Sequence, residues 1–190
     1  MFIDYLPLLL MNMAAGLFIL ACYVYKGMDG QDQRPWGPAF GMVGIIAVLN
    51  GLHMTWTWPL PGSYNVAFGE MSVLFGILFL AAAWALAKGW DLMPVAVYGF
   101  FAGSAAILIG IRIMSLGLTQ APRLTGIGFI LSGMGGVFAV PILYLRAHRA
   151  LRIMGAGVLI AAAIIWTSTG YMGYWMHLSG LSKWLPELMR

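Results

Sequence analysis

The sequence predicts an all-α integral membrane protein, a compact bundle of six transmembrane helices with both termini on the outer side (N-out/C-out). Hydrophobic residues make up 62% of the chain and charged residues 8%, with a mean hydropathy of +0.88. A soluble domain needs about 25% charged residues to hydrate its surface, so lipid must solvate most of this one. Apolar stretches long enough to cross a ~30 Å hydrocarbon core, which takes about 20 helical residues, recur along the chain. Lysine and arginine fall between them unevenly, which sets a direction.

The stretches are approximately 3–25, 36–57, 66–88, 92–117, 124–145 and 153–177. Their punctuation is Lys26 to Arg34, Pro59 to Gly62, Gly89-Trp90-Asp91, Gln120 to Pro122, and Arg146 to Arg152, with a short tail over 178–190. No connection is long enough to hold a soluble domain, so 1–190 reads as a single transmembrane domain. The first stretch lacks a basic leader and runs longer than a signal-peptide core, so it is expected to be retained. With the N-terminus outside, Lys26, Arg34, Lys88, Arg146, Arg149 and Arg152 lie on the inner side, and Arg123, Lys183 and Arg190 on the outer side. Excess basic charge inside is the usual bias. The expected location is the cytoplasmic (inner) membrane.

Small residues mark helix contacts. Gly99 and Gly103 form a GxxxG pair continued at Gly110, and Ser132 and Gly136 have the same spacing beside Gly133 and Gly135. Such faces let backbones approach closely in lipid. Pro141 is expected to bend the fifth helix.

Several functions are excluded. Cys22 is the only cysteine, so no thiol pair exists for disulfide chemistry. No metalloprotease, P-loop or serine-hydrolase motif is present, and a stand-alone hydrolase or ATPase is not expected. The net charge of +4 is scattered over short loops, which argues against nucleic acid.

Ionisable groups inside a bilayer are costly and are functional candidates by default. His53, Glu70 and Arg112 each lie one to two turns inside the outer end of a helix, Asp4 at the start of the first and His177 at the end of the last. Asn50, His53 and Thr57 share one face of the second helix, and Thr167, Gly170, Tyr174 and His177 form a stripe on the sixth. These residues, with Trp56, are expected to form an outward-opening polar pocket.

Three chemistries fit such a pocket. His53 and His177 could ligate haem b, or His53, Glu70 and Arg112 could hold a quinone headgroup with Trp56 alongside. Alternatively His53, His177, Glu70 and Asp4 supply metal ligands, with Met54, Met71, Met172 and Met176 offering thioethers for copper. Without a soluble domain to receive electrons, a redox role implies other membrane subunits of a respiratory-type assembly, or a homo-oligomer. The rival expectations are a small channel or transporter, and a structural subunit in which Glu70 and Arg112 clasp two helices.

The segment Phe68-Gly69-Glu70-Met71-Ser72-Val73-Leu74-Phe75-Gly76, with Gly110-Ile111-Arg112 and the stretch from Ala139 to Arg146, resembles a family of small multi-pass prokaryotic membrane proteins known only as a domain of unknown function. The resemblance covers nearly the whole chain. It implies a compact helical membrane fold and draws attention to Glu70 and Arg112; it implies no activity.

Overall fold

The computed structural model describes residues 5–185, and every regular element within them is helical. The helices are α1 (Leu6–Tyr25), α2 (Gly37–Thr57), α3 (Met71–Lys88), α4 (Met93–Leu116), α5 (Pro122–Val137), α6 (Ala139–Tyr144) and α7 (Arg149–Gly180). Two 3₁₀ turns, Gly27–Asp29 and Arg34–Trp36, join α1 to α2, and a π turn, Asn65–Glu70, leads into α3. Prolines stand in the first turns of α1, α2, α4 and α5, where the missing N–H has no intrahelical acceptor to lose. Gly89 and Gly117, at φ 68° and 64°, supply the left-handed residue that ends α3 and α4.

Five helical runs are long and apolar enough to cross a membrane: Leu6–Tyr25, Arg34–Thr57, Asn65–Lys88, Met93–Leu116 and Arg149–Gly180. The expected span 124–145 is not one continuous helix. It divides at Phe138 (φ −88°, ψ 0°) into α5 of 16 residues and α6 of 6. Pro141 is the cause: it has no N–H to give the Val137 carbonyl, and its ring crowds that oxygen. Within α6 the proline falls in the first turn, where it is tolerated. The expected bend is therefore a break.

By their contacts the helices close into a ring. Packing is tightest within three pairs, α1/α7, α2/α3 and α4/α5, and lighter where the pairs meet. The α4/α5 seam is the glycine face foreseen in the sequence. A Cβ built on Gly110 would lie 2.6 Å from the Gly126 carbonyl oxygen, and one on Gly133 would lie 2.5 Å from that of Gly103. The opposite side of α5 is used as well: Gly128 meets Trp166, and Gly135 meets Leu159, on α7. The α2/α3 seam is a second glycine contact, with Gly44 and Gly51 of α2 set against Gly76 of α3 and Gly69 of the π turn that leads into it. Its seven-residue spacing was present in the sequence and went unread.

Aromatic rings brace the middle. Phe129 stands edge-on to both Phe68 and Trp166, at 5.5 and 5.2 Å between centroids. Trp166, only 1% exposed, satisfies its indole N–H on the Ser132 hydroxyl at 2.9 Å. Asn12 donates from α1 to the Val43 carbonyl of α2 at 2.9 Å.

Replacing Gly133 with leucine should separate α4 from α5 and cost at least the 1–3 kcal/mol of an overpacked core. Gly157, exposed and with nothing within 4 Å of an added Cβ, should accept leucine with little change. Thermal melting of the two variants in detergent checks this; equal losses would contradict the seam.

Candidate functional site

None of the described residues expected to form the outer pocket lines a cavity of the structure. Glu70 and Arg112 are both exposed, and the ion pairs among the described residues are Arg34–Asp32 and Arg152–Asp29, so these two do not clasp α3 to α4. Trp56 is 76% exposed and Tyr174 39%. Asn50 is half-buried and turns its amide back to the Ile46 carbonyl of its own helix, at 2.8 Å. His53 and His177 are half-buried, and Asp4 lies outside the described residues.

His53 has the most structured surroundings of this set. Its ring meets Tyr5 edge-on at 5.5 Å between centroids, and Thr57 Oγ1 stands 3.5 Å from Nδ1 while donating to the His53 carbonyl at 2.7 Å. The buried Tyr5 hydroxyl has no hydrogen-bond partner among the described residues. The thioether set for copper does not converge: Met54 and Met71 are core residues, whereas Met172 and Met176 are exposed. Among the described residues no group of three or more His, Cys, Asp or Glu is arranged to hold a metal ion.

The larger feature lies inside the ring. A cavity of about 430 Å³ is walled by all seven helices. Met13, Met71, Phe129 and Trp166 line one end, and the wall continues past Gly99 and Ala102 to Tyr23, Leu92 and Leu151 at the other. Its lining is overwhelmingly apolar. The reason is geometric: glycine pulls the helices of each pair together, but the pairs meet through larger side chains that leave the axis unfilled. Phe138 and Met154 line the cavity and are also 44% and 61% exposed. The cavity therefore reaches the outside where the chain breaks between α5 and α6 and α6 packs only lightly on α7.

At the same end Arg152 is buried, its side chain 7% exposed. Its Nε donates to the Val24 carbonyl at 2.8 Å, and Nη2 to the Tyr25 carbonyl at 2.6 Å and Asp29 Oδ2 at 2.8 Å. Nη1 serves Asp29 Oδ1 and, at 3.5 Å, the Arg146 carbonyl. All five guanidinium protons are thus directed to acceptors. Two of these are carbonyls that α1 leaves unpaired at its C-terminus, so the side chain caps α1 and fastens it to α7. In sequence Arg152 was one basic loop residue among several. Its structural role became legible only with α1 beside it.

A family model described as "Protein of unknown function (DUF981)" matches residues 1–180. Comparison with curated proteins and with solved structures gives no match.

Arg152→Ala should cost roughly 2–3 kcal/mol, the scale of hydrogen bonds to a charged group. Lysine should not restore it, because one ammonium cannot reproduce the planar fork. Asp29 is 68% exposed, and Asp29→Asn should cost clearly less than Arg152→Ala. The Arg152 hydrogen bond holds the Asp29 carboxyl below the usual carboxylate range. Its folded pKa being lowered, that contribution is complete at neutral pH and fades as pH falls through the lowered value. Melting curves of the three variants at neutral and acidic pH check both the ranking and the sign.

Proposed function

The chain belongs to the family of proteins of unknown function DUF981, and from the geometry above we propose that it binds an apolar membrane-resident molecule inside its helical ring. The observation that carries this reading is the cavity of about 430 Å³, which falls within the ~300–1,000 Å³ range of ligand pockets. For scale, a dry apolar cavity of about 150 Å³ suffices to take up benzene. An alkyl or isoprenoid chain matches both the lining and the source, since the gap at Phe138 and Met154 faces sideways. A ligand dissolved in the bilayer can pass through it without crossing water.

In this reading the broken α5–α6 segment makes a sixth crossing, and both termini face outward. The basic bias supports the orientation even after Arg152 is set aside as a structural group: Lys26, Arg34, Lys88, Arg146 and Arg149 against Arg123, Lys183 and Arg190. The membrane is the cytoplasmic one.

A second reading keeps the outer end as a redox site. It is favoured by one observation, the buried Tyr5 hydroxyl without a partner among the described residues, close to the His53 ring. A quinone carbonyl would accept that proton, with further membrane subunits supplying electrons. An absorption spectrum of the purified protein tests it: a haem band, or a quinone signal lost in Tyr5→Phe, supports this reading, and a colourless quinone-free protein overturns it.

For the cavity, Ala106→Phe fills space from the α4 wall. Lipid extracted from purified protein in native mass spectrometry should show a bound apolar species in the wild type. The variant should lose at least nine-tenths of it while melting no more than a few degrees lower. Identical occupancy in both would remove the cavity as the binding place.

A further inference from the structure

The cavity's outlet is not electrically neutral. Leu143 and Leu151 line the cavity on either side of the connection between α6 and α7. That connection, residues 145–148, is exposed, and so are Arg146, His148 and Arg149. The ion pairs among the described residues use Arg34 and Arg152; Arg149 lies near enough to help lower the Asp29 carboxyl, but neither it nor Arg146 is in an ion pair among the described residues. Asp29, the nearest acid by connectivity through Arg152, is already engaged in the guanidinium fork. Two exposed guanidinium groups thus stand on the connection whose flanking residues, Leu143 and Leu151, line the apolar cavity.

Resting on the reading of the cavity as a ligand site, we propose that its ligand is an anionic amphiphile. The apolar chain lies along the cavity toward Trp166, and the carboxylate or phosphate head sits outside the gap on Arg146 and Arg149. Two features favour this over an uncharged lipid. The exposed guanidinium groups of Arg146 and Arg149 stand next to the lining residues Leu143 and Leu151, whereas Met13, Met71, Phe129 and Trp166 at the opposite end are apolar. Arginine also pairs with carboxylate and phosphate through a planar fork that a neutral head cannot engage. Basic groups near a membrane surface attract anionic heads with useful strength, and two of them together are worth roughly tenfold or more in affinity.

Trp166, which lines the opposite end, reports on the chain. The probes are stearic acid with a nitroxide near its methyl end and the methyl ester of the same molecule, differing only in charge. The protein is held in phosphatidylcholine nanodiscs at alkaline pH, where the acid is ionised. The signal is the part of the tryptophan quenching that disappears in Trp166→Phe, since the chain has 8 tryptophans.

The acid should quench Trp166 at roughly tenfold lower concentration than the ester. Arg146→Gln combined with Arg149→Gln should abolish that difference and leave the ester curve unchanged, which also shows the variant to be folded. Equal quenching by acid and ester in the wild type would overturn the anionic head and leave the cavity standing. Absence of any Trp166-dependent quenching by either probe would overturn the cavity itself.

Discussion

Backbone touching backbone is the constraint from which the rest of this structure follows. Lipid gives apolar helices no hydrophobic reason to associate, so packing must come from surfaces that fit. Here the fit is made by glycine, Gly103 and Gly110 against Gly133 and Gly126 in one seam, Gly44 and Gly51 against Gly76 and Gly69 in another. Closeness inside each pair fixes the shape of the pair but not its neighbours. Where pairs meet, bulky groups such as Phe129, Phe68 and Trp166 hold them apart. The cavity follows from packing that is tight within the pairs and looser between them.

Polar groups complete the picture by closing what the glycines cannot. Asn12 ties α1 to α2, Ser132 receives the Trp166 indole, and Arg152 ends α1 by taking its free carbonyls. Each of these buried donors has an acceptor on a different helix. In a low-dielectric surrounding an unmade bond of this kind is expensive, so the three of them define which helices must be neighbours. The Tyr5 hydroxyl stands apart, lacking a partner among the described residues.

How much of this was legible in the sequence depended on whether a feature belonged to one helix or to several. Hydropathy and the small-residue face of α4 are properties of single segments: five of the six apolar stretches appear as continuous long helices, and the α4 face appears as a close contact. Pro141 signalled a disturbance, but whether it bends or breaks a helix depends on the Val137 carbonyl it abandons. Glu70 looked embedded because it lies within an apolar run; the π turn that ends on it delivers Phe68, Gly69, Met71 and Ser72 to the interior and leaves Glu70 outside. Arg152 was hidden among loop cations for the opposite reason, since its burial is created by α1, over 120 residues away in the chain. The cavity belongs to no segment. It is legible only once the faces that meet are known.

The ring has a consequence in time as well as in space. α1 leaves the ribosome well before α7, yet these two form one of the most intimately packed pairs, and α7 carries the arginine that caps α1. Until α7 is made, the end of α1 is uncapped and the ring has a missing wall. The interior compartment therefore does not grow with the chain; it comes into being in one step, when α7 inserts. Lipid standing among the earlier helices at that moment must be either expelled or enclosed, so the order of synthesis bears on what the compartment first holds.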